Sequence, residues 1–165
     1  MPVTVENAKN NFNMKIGDHI PDFLGTDQDG EPVKASDFKG KKLALYFYPK
    51  DNTPGCTAQA CSLRDSYDEF LDAGYEIVGV STDSEKSHRK FIEKHSLPFR
   101  LIADTEKKLV NQFGVWREKS MMGKKYMGVV RTTFLIDENG VINHIIEGRS
   151  VNTKNHARQL LDGYA

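Results

Sequence analysis

Apolar and polar positions fall into blocks that read as short strands and amphipathic helices. Leu43-Ala-Leu-Tyr-Phe-Tyr48 is an apolar, aromatic run ending at Pro49, the pattern of a strand buried within a sheet. Tyr75-Glu-Ile-Val-Gly-Val-Ser81 is a second strand, rich in β-branched residues, and Phe99-Arg-Leu-Ile102, following Pro98, is a short third. Arg131-Thr-Thr-Phe-Leu-Ile-Asp137 and Val141-Ile-Asn-His-Ile-Ile-Glu147 flank a Glu-Asn-Gly turn and give the clearest hairpin signal. Residues Cys56 to Leu71 have helical composition, with Ala58, Cys61, Leu63, Phe70 and Leu71 available for packing and Gly74 as the stop. Asp83 or Ser84 caps a helix running to about His95, with His88, Phe91 and Ile92 on one side. Asp104 or Thr105 begins a shorter helix, Glu106 to Phe113, and an amphipathic one follows from Thr153 to Leu161.

The remaining segments are polar. Asp27-Gln-Asp-Gly30 reads as a turn, and Val33 to Phe38 as a connection into the first strong strand. Residues 1–13 form a flexible arm ahead of one domain, 14–165. Strands alternating with helices, then an antiparallel pair, predict an α/β protein whose mixed central sheet carries helices on both faces. A thioredoxin-like layout fits this order best.

Charge and length narrow the function. Lys plus Arg and Asp plus Glu number 23 each, so no net field recruits nucleic acid or an anionic membrane. The longest apolar run, Leu43 to Tyr48, is far below the roughly 20 residues that span a bilayer. The first residues lack the apolar region of a signal peptide, which points to a cytoplasmic protein. Two cysteines are too few for a disulfide framework and turn attention to redox chemistry or metal binding.

Both cysteines lie just after the first strong strand. Thr53 is a good N-cap and Pro54 suits the first helical position, where its missing N–H costs nothing. Cys56 then falls in the first turn, where free N–H groups and the helix dipole favour an anion. Such a setting lowers a thiol pKa from about 8.5 into a range of roughly 3.5–7.5. On a continuous helix Cys56 and Cys61 point about 140° apart with Cα atoms about 8–9 Å apart, beyond the roughly 7 Å reach of a disulfide. Joining them requires the first turns to unwind. Three readings fit: two incidental intracellular thiols, two ligands of an incomplete metal site, or a reactive thiol with a resolving partner. His88 and His95 could share a helix face, but no third ligand stands nearby. Lys39-Gly-Lys-Lys42 lacks P-loop spacing and reads as a solvated turn, Trp116 as a packing residue, and Met121-Met122-Gly-Lys-Lys125 as a flexible flap. A binding module without turnover is the rival from another class; the absence of Cys-x-x-Cys counts against a thioredoxin-type oxidoreductase.

Pro49-x-x-x-Thr53-x-x-Cys56 resembles the active-site motif of the peroxiredoxins. The wider Phe47-Tyr-Pro-Lys-Asp-Asn-Thr-Pro-Gly-Cys-Thr57, with Cys61 five residues after Cys56, is similar to the bacterioferritin comigratory protein (Q-type) subfamily. Gly17-Asp-x-x-Pro-Asp-Phe23, Val78-Gly-Val-Ser-Thr-Asp83, Gly114-Val-Trp116 and Arg131-Thr-Thr-Phe-Leu-Ile-Asp137 extend the likeness over about residues 14–163. The resemblance implies a thiol-dependent peroxidase acting on hydrogen peroxide and organic hydroperoxides. Cys56 would be the attacking thiol and Cys61 its resolving partner in the same subunit, with Thr53 and Arg131 beside the sulfur and Pro49 shielding the pocket. It implies no metal, haem or flavin, recycling by thioredoxin or a similar dithiol, and a monomer or weak dimer.

Overall fold

The computed structural model describes residues 13–164. The expected arm, residues 1–13, lies outside the described residues except for Asn13, whose side-chain amide donates to the Asn111 carbonyl. The chain begins with a small antiparallel pair, β1 (Phe23–Thr26) and β2 (Pro32–Lys34), turned at Asp27–Gly30. There follow β3 (Lys42–Phe47), α1 (Pro54–Asp65), α2 (Tyr67–Asp72), β4 (Tyr75–Ser81), α3 (Glu85–His95) and β5 (Arg100–Ala103). The second half comprises α4 (Lys108–Gln112), β6 (Trp116–Met121), β7 (Lys124–Val129), β8 (Thr132–Ile136), β9 (Ile142–Glu147) and α5 (His156–Tyr164). Among the described residues no helix is long and apolar enough to cross a membrane.

The central sheet has the order β5-β4-β3-β8-β9. β3, β4 and β5 run parallel, while β8 and β9 complete the sheet antiparallel to their neighbours. Strand β3 lies in the middle and is apolar and buried from Leu43 to Phe47 because both its faces are covered. Alternation along a strand sends neighbours to opposite sides. Leu43, Leu45 and Phe47 join a core with Leu109, Val110 and Phe113 around α4. Ala44, Tyr46 and Tyr48 join the other core, with Cys56, Ala60 and Leu63 of α1, Phe91 of α3 and Leu160 of α5. The mixed sheet with helices on both faces is as the periodicity implies. Cys56 belongs to the core beneath α1.

Several local expectations are corrected. The helix starts at Pro54 as the capping pattern implies, but the stretch expected to run unbroken to Leu71 breaks at Ser66, which ends α1 and starts α2 at φ −111° and ψ 15°. The break turns Phe70 edge-on to Tyr75 and leaves Leu71 exposed. The helix expected from Glu106 begins at Lys108, because Lys107 takes a left-handed conformation and the Asp104 carboxylate accepts the N–H groups of Leu109 and Val110. The last helix starts at His156 after Asn152 caps the turn by accepting from Asn155 N–H. Val33 and Lys34, at the start of the segment expected as a connection, belong to β2, a strand of only three residues that pairs with β1. The expected flap at Met121–Lys125 is the tip of a regular hairpin, β6–β7. Met122 and Gly123 turn it with φ of 52° and 81°, as a tight hairpin turn requires. Charged residues on both faces of that hairpin hid the strand period.

Candidate active site

Strand β3 delivers the chain to Pro49, half-buried just past the strand's C-terminal end, and the loop 49–53 turns it into α1. Asn52 takes a left-handed conformation within that loop, with φ 61°. Thr53 is the N-cap by backbone, since its carbonyl accepts the first helical bond, from Thr57 N–H at 2.8 Å. The first N–H groups of a helix have no intrahelical partner, and here these are the ones of Gly55 and Cys56. The expected side-chain cap is not made. Thr53 Oγ1 donates instead to the Lys50 carbonyl at 2.8 Å, back across the loop. That bond uses the hydroxyl proton, so the oxygen facing outward can only accept.

Cys56 is the third residue of α1 and only 2% exposed. Arg131, immediately before β8, reaches across to it. Its Nη2 donates to Cys56 Sγ at 3.3 Å and its Nη1 to Gln59 Oε1 at 2.6 Å. The sulfur therefore lies between the start of a helix and a guanidinium, both of which favour negative charge. Gly55 makes room for this fork: a Cβ there would stand 3.2 Å from Arg131 Nη2. Thr53 and Cys56, neighbours at the start of α1, are thus joined by Arg131 from a distant part of the sequence, while Pro49 lies upstream in the loop that leads into the helix. Cys61 lies in the same helix, half-buried; both thiols are free. The unbroken run of α1 through both cysteines keeps their side chains on different sides of the helix, as their spacing requires.

Further residues at the site were not singled out from the sequence. Gln59 is three residues after Cys56, hence on the same helix face; it is fully buried and fixes Arg131. That spacing could have identified it. Lys119 on β6 comes to the site only through the hairpin. Its ammonium donates to the Val129 carbonyl at 2.9 Å, and its pKa is lowered, first by burial, then by Arg131, against an upward pull from Cys56. Tyr46 lies buried beneath, its hydroxyl without a hydrogen-bond partner among the described residues, and burial followed by the neighbouring Cys56 and Asp51 pushes its pKa well up.

A buried network holds the loop that carries Thr53. Asp51 Oδ1 accepts from Tyr48 OH at 2.6 Å, while Oδ2 accepts from Ser87 Oγ and faces His88 Nδ1, both at 2.8 Å. His88 Nε2 faces the Ile102 carbonyl at 2.9 Å. The two ring nitrogens thus sit between the Asp51 carboxylate and the Ile102 carbonyl, which fixes the ring against the loop. Burial raises the Asp51 carboxyl, but hydrogen bonds and charge from His88, with bonds from Tyr48 and Ser87, outweigh it and hold the carboxyl below its ordinary value. His88 and His95, seven residues apart along α3, do not converge on one centre. His88 turns inward to Asp51, while His95 stands beside Cys61, its Nδ1 3.9 Å from Sγ.

Comparison with known proteins supports the chemistry of this geometry. Residues 16–145 match the AhpC/TSA family. Peroxiredoxin Bcp of Bacillus subtilis is 50% identical over 148 residues, 90% of this chain and 93% of that protein. Peroxiredoxin Bcp of Escherichia coli K12 is 48% identical over 143 residues, covering 87% and 90%. Among solved structures, Xanthomonas campestris peroxiredoxin Q superposes with a TM-score of 0.80 at 34% identity, covering 92% of this chain and 95% of that one. The bacterioferritin comigratory protein of the same organism, studied for alkyl peroxide reduction, gives 0.77 at 33% identity, covering 88% and 96%. With a polarised cysteine at the start of its first long helix and this ancestry, the chain belongs to the AhpC/TSA family as a peroxiredoxin of the Bcp (Q-type) group, a thiol-dependent peroxidase.

Proposed function

We propose that this peroxidase runs a two-cysteine cycle confined to α1, with Cys56 as the attacking thiol and Cys61 as the resolving one. The carrying observation is the 3.3 Å approach of Arg131 Nη2 to a buried sulfur at the first turn of a helix that bears a second free thiol. In the first step the Cys56 thiolate attacks the terminal peroxide oxygen. The S–O bond forms as the O–O bond breaks, and the departing oxygen takes a proton and leaves as water or an alcohol. Arg131 steadies charge as it moves from sulfur to the departing oxygen. The free N–H groups of Gly55 and Cys56 address the attacked oxygen. Thr53 Oγ1, its own proton committed to Lys50, accepts the peroxide O–H and so orients the substrate. Pro49 limits water at the mouth.

The second step joins Cys56 to Cys61 with loss of water. Because helical spacing holds their Cα atoms about 8–9 Å apart, the first turns of α1 unwind before the bond forms. A dithiol protein of thioredoxin type then reduces the disulfide by exchange through a mixed disulfide. Hydrogen peroxide and organic hydroperoxides are the proposed substrates, the latter on the alkyl peroxide reduction described for the Xanthomonas campestris relative.

Intact-mass measurement after one equivalent of hydrogen peroxide tests the cycle. The reduced chain loses two hydrogens, and peptide mapping joins Cys56 to Cys61. Cys56→Ser abolishes peroxide consumption; Cys61→Ser still oxidises once at Cys56 but does not turn over with thioredoxin. Normal peroxide consumption by Cys56→Ser ends the proposal.

A further inference from the structure

The resolving thiol has a neighbour that the reaction as described does not use. Cys61 Sγ lies 3.9 Å from His95 Nδ1, within reach of a sulfur hydrogen bond, and both residues are half-buried. His95 Nε2 is buried with no hydrogen-bond partner among the described residues. The imidazole packs edge-on against Phe91, ring centres 5.2 Å apart. This ring is held by packing, and among the described residues its one polar neighbour in hydrogen-bond range is the thiol.

The contacts around Cys61 also divide α1. Just beyond it, Ser62 Oγ accepts the Ala157 N–H at 3.1 Å and Leu63 is fully buried. Arg64 Nη1 donates to the carbonyl of His95 itself at 2.8 Å. These bonds fasten the second half of α1 to α3 and α5. Ahead of Cys61, the side-chain hydrogen bonds of the helix are those of Cys56 and Gln59 to Arg131. Of these side-chain bonds, unwinding that stops at Cys61 breaks those to Arg131 and spares those to α3 and α5. The attacking half of the helix travels, and the resolving thiol waits against its imidazole.

We infer that His95 is the general base of the resolution step, taking the Cys61 proton so that a thiolate meets the oxidised Cys56. This rests on Cys61 being the resolving residue. The balance is complete. The S–H proton passes to His95 Nδ1, the Cys61 sulfur attacks the Cys56 sulfenic sulfur, the S–S bond forms and the S–OH bond breaks. The departing hydroxide leaves as water with the proton returned from His95. No electrons beyond those of the two sulfurs are needed.

The surroundings keep the ring able to accept. Burial, then the positive charges of Lys94 on its own helix and Arg64 on α1, lower the His95 pKa from its ordinary 6.5. Arg64 is in turn paired with Asp65 at 2.9 Å. At neutral pH the ring is therefore uncharged, with a lone pair to offer. An ordinary thiol, by contrast, is only about 3% ionised at pH 7.

The test is rapid-quench mass spectrometry of the full chain with hydrogen peroxide, following sulfenic acid and disulfide separately from pH 5 to 9. In the parent chain the resolution rate should be level above neutrality and fall only below pH 6.5. In His95→Gln, the first oxidation keeps its rate while resolution at pH 7 slows about tenfold or more and climbs with pH towards the thiol range. The longer-lived sulfenic acid should also raise the yield of Cys56 sulfinic acid at excess peroxide. His95→Asn, checked by thermal melting, replaces the glutamine variant if that one is unfolded. Equal resolution rates and pH profiles in parent and folded variant overturn the role of His95 while leaving the Cys56–Cys61 cycle intact. A parent chain that never links Cys56 to Cys61 removes the cycle, and this inference with it.

Discussion

Arg131→Met is the perturbation that most directly probes why Cys56 is reactive. Methionine keeps an unbranched apolar stem but removes the charge and both N–H donors. The sulfur loses its 3.3 Å donor, and Gln59 Oε1, buried in the core, loses its 2.6 Å partner. A hydrogen bond from a charged group is worth about 1.5–3 kcal/mol. If that support is realised mainly as charge leaves the sulfur, the first oxidation slows by about 10- to 150-fold. Arg131→Lys should fall between, because a point charge cannot serve Sγ and Gln59 together as the guanidinium fork does. The assay is single-turnover stopped flow with hydrogen peroxide, with thermal melting to separate misfolding from lost chemistry. A folded Arg131→Met protein within twofold of the parent rate would refute the reasoning.

Three more predictions rest on nearby contacts. Gly55→Ala should leave stability unchanged or slightly raised, since alanine is the better helix former, yet slow oxidation by several-fold to about 100-fold; its Cβ would crowd Arg131 Nη2 at 3.2 Å, and unchanged peroxide kinetics would show that the guanidinium has room to shift. Asp51→Asn should cost about 1–3 kcal/mol in urea unfolding, because an amide with one acceptor oxygen replaces a buried carboxylate that Tyr48, Ser87 and His88 share; a loss under about 0.5 kcal/mol would mean that this network adds no stability. His156 is held at about 4, below its ordinary 6.5, first by burial, with the Gln159 bond pulling up and Arg131 pushing down. The unfolded chain therefore takes a proton as pH falls below 6.5 while the folded one does not, so stability drops from pH 6.5 to about 4 by roughly 3 kcal/mol. His156→Gln should flatten that part of the urea-stability profile, and an unaltered profile would dismiss the effect.

Local pattern alone was enough for much of this protein. The apolar run Leu43–Tyr48, the β-branched strand Tyr75–Ser81 and the Glu-Asn-Gly hairpin are signals carried by adjacent residues, and each corresponds to an observed strand. Thr53-Pro54 marked the start of α1 to the residue, because capping and the missing proline N–H are decided within one turn. Resemblance of the cysteine motif and of Arg131-Thr-Thr-Phe-Leu-Ile-Asp137 pointed to a peroxidase, in agreement with the family.

What only the tertiary structure decided depends on distance through space. Arg131 is 75 positions from Cys56, and a strand-end arginine reads as solvated until the antiparallel pairing of β8 with β3 brings it to the sulfur. Lys119 reaches the site on a hairpin whose charged faces hid its period, and His95 meets Cys61 only because α3 packs on α1. Thr53 supplied the expected backbone cap, but its hydroxyl proton went to Lys50 because the loop folds back on itself. Periodicity encodes which residues are buried, since burial repeats along the chain. It does not encode which buried groups touch, because that is fixed by the order and direction in which separate elements join the sheet.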